Sequence, residues 1–120
     1  MKKVLIVDDS ETVRTQVGRA LMDAGFEVVG AGDGMEGLQQ AQRSKFALVL
    51  LDINMPRMGG LELLDRLKAE EQTKNVPVLV LTTEVQESMI DRAKKAGAAG
   101  WIVKPVKMAL LVAAVTKVAA

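Results

Sequence analysis

Five side chains of this 120-residue sequence stand where chemistry would need them: Asp8, Asp9, Asp52, Thr82 and Lys104. They follow short apolar runs. Val4 to Val7 leads into Asp8-Asp9, Ala47 to Leu51 into Asp52, Val76 to Leu81 into Thr82, and Gly100 to Val103 into Lys104. A continuous apolar run reads as a strand buried on both faces, the habit of parallel sheets covered by helices. Parallel strands all point one way, so these residues gather at one edge, where open α/β sheets place their ligands. Two carboxylates about 4 Å apart repel by about 4 kcal/mol at an effective dielectric near 20, so a cluster of three needs a cation. Hard oxygen donors suit Mg²⁺, which keeps several waters and takes one or two protein carboxylates. An ammonium and a hydroxyl beside them complete a pocket for a small dianion next to a carboxylate nucleophile. Phosphoryl transfer asks mainly for such positioning and charge neutralisation.

Each of these residues also has a plainer reading. Asp52 alone reads equally as a turn-capping aspartate, Asp9 as the cap of the first helix and Thr82 as a cap of the fourth. Lys104 alone is a solvated surface lysine. The specific signal is that all of them fall at strand ends, in order.

The elements that must position them alternate along the chain. After Asp9, Ser10 caps a helix carrying Val13, Val17, Ala20, Leu21 and Ala24, and Gly25 ends it. Glu27-Val28-Val29 predicts a short second strand, followed by a glycine-rich loop over Gly30 to Gly34. Asp33 and Glu36 have capping-box spacing for a helix with Met35, Leu38 and Ala41. The third strand ends at Asp52, and the loop 54–60 leads to a helix presenting Leu61, Leu64 and Leu67. That helix is expected to fray into the charged stretch Lys68 to Lys74. Thr83 and Gln86 predict a capping box for a fourth helix that buries Met89, Ile90 and Ala93 and stops at Gly97. The fifth strand ends at Lys104-Pro105, and a last helix fills 107–120. Five strands each followed by a helix predict one α/β domain over residues 1–120, a parallel sheet with right-handed crossovers and helices on both faces.

Composition narrows the chemistry. Lys and Arg number 16 against 15 Asp and Glu, a net charge of +1, so nothing points to nucleic acid. Cysteine, histidine and tyrosine are absent, which removes disulfides, Cys/His zinc sites, thiol nucleophiles and imidazole bases. No apolar run is long enough for a membrane span or signal peptide, so a soluble cytoplasmic protein is expected.

One motif competes. Gly32-Asp33-Gly34-Met35-Glu36-Gly37 is a literal G-x-G-x-x-G between a strand and a helix, the dinucleotide-binding pattern. The chain has room for only one mononucleotide half plus two strands, and the pattern leaves Asp8, Asp9, Thr82 and Lys104 without a role. A hydrolase with a D-x-D nucleophile motif on its first strand is also disfavoured, because that position reads Asp8-Asp9-Ser10.

Asp8-Asp9, Asp52 in L-L-D-I-N-M-P, Thr82 and Lys104-Pro105 resemble the signature of response-regulator receiver domains, the phosphoacceptors of two-component signalling. The resemblance runs through essentially the whole chain. Within that family it is nearest to the stand-alone chemotaxis regulators, through N-M-P-x-M-x-G-L-E-L-L and the A-G-A-x-G before Trp101. It implies a flavodoxin-like (βα)5 fold with strand order 2-1-3-4-5, an order that spacing alone does not show. It implies Asp52 as phosphoryl acceptor from a histidine kinase. Asp9, Asp52 and the backbone carbonyl of Asn54 would hold Mg²⁺, with Asp8 assisting through water. Lys104 would contact the acyl phosphate, and its bond to Pro105 would be cis. Thr82 and Trp101 would form the switch, and Asn54 and Glu84 would flank the attacking water and tune the lifetime, through slow self-dephosphorylation. The implied output is control of a downstream protein, the flagellar motor switch among them. A relay or phosphate-sink module, or the receiver unit of a longer regulator, is the alternative.

Departures from the family are few. Gly59 stands where the family usually has Asp, and Val106 where it usually has Phe. The last helix is apolar on every side between Lys107 and Lys117, whereas a surface helix should have a polar face. Either its alanines tolerate water, or its exposed side docks a partner or a second copy.

Overall fold

The computed structural model describes all 120 residues. The apolar runs become five strands, β1 (Lys3–Val7), β2 (Glu27–Ala31), β3 (Leu48–Leu51), β4 (Val78–Thr82) and β5 (Gly100–Val103). Between and after them lie α1 (Glu11–Asp23), α2 (Gly34–Arg43), α3 (Gly60–Ala69), α4 (Glu87–Lys95) and α5 (Met108–Ala119). All strand pairs are parallel, in the order β2-β1-β3-β4-β5.

Side chains alternate across a strand, and here both faces are covered. Leu5 and Val7 of β1, Val49 and Leu51 of β3, and Val78 and Val80 of β4 pack with residues of α2, α3 and α4. Their neighbours Val4, Ile6, Leu48, Leu50, Leu79 and Leu81 pack with Val17 and Leu21 of α1 and Leu111, Val115 and Ala119 of α5. The three central strands therefore read as unbroken apolar runs, because each alternate residue enters a separate core.

The helix starts follow their caps with one exception. The Ser10 hydroxyl accepts from Val13 N–H, and the Asp33 carboxylate accepts from Glu36 N–H at 2.8 Å. Glu36 returns a carboxylate oxygen to Gly32 N–H at 2.7 Å, one residue beyond the reciprocal partner of a strict capping box. The Thr83–Gln86 box does not form. Gln86 is the N-cap of α4 and makes no side-chain cap bond, and its N–H donates instead to the Glu84 carboxylate at 3.1 Å. Glu84 lies two residues ahead of Gln86 and satisfies that donor first.

Two strand boundaries shift. Gly30 belongs to β2, not to a loop, and β4 begins at Val78, after Pro77. Helix α3 ends at Ala69, within the charged stretch as expected, but that stretch is held: the Lys68 ammonium donates to the carbonyls of Val76 at 2.8 Å and Lys74 at 3.2 Å, pinning the turn that follows. Burial pushes that ammonium below its ordinary pKa. Met35 is exposed, whereas Leu38 and Ala41 are buried. Met89 and Ile90 are half-buried, and only Ala93 of α4 is fully so. No helix is long and apolar enough to cross a membrane.

Candidate functional site

The acid pocket is a product of register. Val7 pairs with Leu51, so the next residues, Asp8 and Asp52, emerge side by side from adjacent strands, and Asp52 N–H still bonds to Val7 carbonyl at 2.9 Å. On the other side Thr82 pairs with Val103, and Lys104 N–H bonds to Thr82 carbonyl at 2.8 Å. Asp8, Asp52, Thr82 and Lys104 thus stand at the ends of β1, β3, β4 and β5, in adjacent positions of one sheet edge.

Their side chains converge. Carboxylate oxygens of Asp8, Asp9 and Asp52 lie within 4.8 Å of one another. Asp8 and Asp52 are buried, with 3% and 8% of their surface exposed, while Asp9 is open to solvent. The Lys104 ammonium sits between the two buried acids, 2.9 Å from Asp8 Oδ2 and 3.7 Å from Asp52 Oδ2. Asp8 Oδ1 accepts from Ser10 N–H at 2.9 Å, and Asp52 Oδ1 from Asn54 N–H at 3.3 Å. Three carboxylates against one ammonium leave an excess of negative charge. At these separations each like pair costs on the order of 3 kcal/mol at an effective dielectric near 20. Hard oxygen donors from two strand ends, one of them facing water, form a donor set that fits Mg²⁺ with waters in its remaining positions.

The plainer readings can now be weighed. Ser10, not Asp9, caps α1, so Asp9 has no capping duty. Lys104 is not a solvated lysine, since its side chain is only 20% exposed and holds two acids. Asp52 does brace its own turn through Asn54, but that bond uses one oxygen and leaves the other facing Lys104. Thr82 is fully buried, and its hydroxyl accepts from Glu84 N–H at 3.3 Å, bracing the start of the loop rather than a helix. The Lys104–Pro105 bond is cis, as expected from the resemblance.

Trp101 is half-buried on β5, and its indole N–H donates to the Glu84 carbonyl at 3.1 Å. One side chain thereby ties the edge strand to the loop that begins at Thr82. Asn54 is exposed on the β3–α3 loop, and the Glu84 carboxylate is engaged with Gln86 N–H.

Several supports of the pocket carry no catalytic residue type, and the sequence pattern that contains two of them points to a different role. A Cβ on Gly60 would lie 2.2 Å from the Asp52 carbonyl oxygen, so α3 starts against the backbone at the end of β3. A Cβ on Gly34 would lie 2.2 Å from Met58 carbonyl oxygen, where Gly34 N–H donates at 3.1 Å. A Cβ on Gly37 would lie 2.9 Å from Val7. The second and third glycines of the G-x-G-x-x-G pattern are thus needed for packing α2 against the sheet and the β3–α3 loop. Arg57, at φ 67°, extends from that loop to Asp33 at 3.2 Å. An arginine in the left-handed region is uncommon, and nothing in its residue type signals it.

Comparison with known proteins agrees with this geometry. Residues 4–116 match the family described as response regulator receiver domain. The chain is 42% identical over 110 residues to the Chemotaxis protein CheY-3 of Vibrio cholerae, covering 91% of this chain and 85% of that one. It is 34% identical over 115 residues to the Transcriptional regulatory protein PdtaR of Mycobacterium tuberculosis, covering 95% of this chain and 55% of that protein. A solved structure of Vibrio cholerae chemotaxis protein CheY4 superposes with a TM-score of 0.93 at 42% identity, covering 98% of each chain.

Proposed function

The chain belongs to the response regulator receiver family, a signalling switch of two-component systems, and from that premise we propose that Asp52 accepts a phosphoryl group from a histidine kinase. An Asp52 carboxylate oxygen bonds to phosphorus as the phosphorus–nitrogen bond of the kinase's phosphohistidine breaks, and the imidazole leaves with the electron pair. Supporting this is one observation above all: Lys104 ammonium lies between Asp8 and Asp52 inside a three-carboxylate cluster. Asp9, Asp52 and the Asn54 carbonyl would hold Mg²⁺, with Asp8 assisting through water. Bound there, the ion supplies neutralisation of charge on the transferring group.

Lys104 contacts the acyl phosphate. The new group adds at most about two negative charges, so it works by tipping a balanced edge. Thr82 turns toward it, leaving Glu84 N–H, and Trp101 repacks into the space, which alters the surface around β5 and α5. Exposed Leu110 and Met108 on α5 are the apolar part of that surface, while Leu111, Val115 and Ala119 stay in the core. The partner there is a downstream protein, the flagellar motor switch by analogy with the chemotaxis relatives, or a second copy of the chain through 107–120. Asn54 and Glu84 flank the water that slowly hydrolyses Asp52 phosphate. The unit acts in the cytoplasm over residues 1–120. A second reading, a relay module or the receiver unit of a longer regulator, is favoured by the match to PdtaR, about half of whose length the chain spans.

Incubation with a small phosphodonor and Mg²⁺ tests the reading. Intact mass should rise by one phosphoryl group and Trp101 fluorescence should change with the same time course, both lost on chelation. No mass gain with the ion present overturns it. Lys104→Met should lower the uptake rate about a hundredfold, the usual scale for losing a charge-stabilising donor. It should also destabilise the chelated protein by roughly 2–3 kcal/mol, since two buried acids lose their cation. Denaturant titration with and without Mg²⁺ checks the second figure, and the deficit should shrink when the ion is added.

A further inference from the structure

Arg14 is a charged side chain that the proposed chemistry leaves without a duty. It lies on the first turn of α1, half-buried, and its Nη1 donates to the Asp8 main-chain carbonyl at 2.5 Å. No carboxylate comes within ion-pairing distance of it, although three acids cluster nearby. Two glycines line its course to that carbonyl closely enough that a single added carbon would touch it and a branched side chain would crowd it. A Cβ on Gly30 would lie 3.4 Å from Arg14 Cδ and 3.7 Å from Nε, and a Cβ on Gly32 would lie 3.6 Å from Nη1.

The Asp8 carbonyl needs such a partner because the ladder ends there. Asp8 N–H makes the last bond to β2, at Ala31 carbonyl. The donor that would continue this two-residue alternation, Asp33 N–H, makes no bond to that carbonyl, because the chain has already turned where Gly32 N–H donates to the Glu36 carboxylate at 2.7 Å. At this point the chain turns from β1 into α1, and the next residue is Asp9.

We infer that Arg14 is a positioning residue for the cation site: through the Asp8 carbonyl it fixes the backbone that presents Asp8 and Asp9, and Gly30 and Gly32 form the trough along which it lies. This inference rests on the Mg²⁺ reading above. A bidentate-capable, planar donor suits the task better than a flexible ammonium. The sign of the effect separates positioning from simple charge. A guanidinium near a cation site repels the ion, so a role as mere charge means that removing it tightens Mg²⁺ binding. A role in positioning means that removing it weakens binding.

The test is an amide NMR titration with MgCl₂ of the parent, Arg14→Met, Arg14→Lys and Gly30→Val. Methionine fills the trough without donors, and lysine restores one donor. Valine at Gly30 leaves the arginine's charge intact but crowds its path, while its own strand propensity exceeds glycine's. The parent should saturate with shifts at Asp9, Asp52 and Asn54. Arg14→Met and Gly30→Val should bind about fivefold more weakly, the scale of one charge-assisted hydrogen bond acting indirectly. Arg14→Lys should lie within about twofold of the parent, and Gly30→Val should melt no lower than it does. Unchanged or tighter binding in Arg14→Met, or parental affinity in Gly30→Val, overturns the inference. A parent that binds no Mg²⁺ overturns the reading beneath it, a distinguishable result.

Discussion

Asp52→Asn is expected to gain no phosphoryl group, and yet to be more stable than the parent when Mg²⁺ is chelated. The two side chains are nearly isosteric. The asparagine oxygen still accepts from Asn54 N–H, and Lys104 keeps its 2.9 Å contact with Asp8. What disappears is one of three negative charges held within 4.8 Å. Asp52 is repelled by two acids and attracted by one ammonium 3.7 Å away, so its removal as a charge relieves the edge by about 1–2 kcal/mol after solvent screening of Asp9. Mg²⁺ should then raise the melting temperature less than in the parent, because the variant binds it more weakly. Calorimetry with and without chelator measures both effects. A less stable chelated variant would mean that the acids do not strain the fold.

Gly60→Ala is expected to cost about 3 kcal/mol, the upper end for overpacking, and to lower the melting temperature by roughly 10 °C. The added carbon would meet the Asp52 carbonyl oxygen at 2.2 Å and Ile53 Cα at 2.7 Å. Both are backbone atoms, so no rotamer can relieve the contact, and α3 must move away from the loop that begins at Asp52. The adjacent Gly59→Asp makes the contrast. Gly59 is the N-cap of α3, at φ −72° with no side-chain cap bond, and a Cβ there would meet only Ile53 carbonyl oxygen at 3.6 Å. An aspartate cap should gain only a few tenths of a kcal/mol over glycine. Thermal melts of the two variants side by side should therefore move in opposite directions.

The strand ends were legible in the sequence because three apolar runs are uninterrupted, a pattern produced only when both faces of a strand enter a core. That Asp8 lies beside Asp52 was not legible from spacing, since it depends on β1 standing next to β3, and only the family resemblance implied that order. Local polar competition hid other features. Thr83 and Gln86 have the spacing of a capping box, but Glu84 reaches Gln86 N–H first. Lys68 opens a charged stretch that reads as solvated, yet the chain folds back and offers it two carbonyls. Glycines were the most ambiguous signal. A G-x-G-x-x-G string suits phosphate binding and close helix packing alike, and only the contacts of Gly34 and Gly37 distinguish the two. Arg14 carries no signal of its own in the sequence. Its trough is lined by Gly30 of β2 and by Gly32 just beyond that strand.

Trapping the acyl phosphate tests the central claim most directly. The protein, incubated with phosphodonor and Mg²⁺, is reduced with borohydride, which converts an aspartyl phosphate to homoserine, and is then mapped by peptide mass. Homoserine should appear at residue 52 alone and vanish with chelator. Homoserine at Asp8, Asp9 or Asp33, or at no residue although the ion is present, would contradict the account.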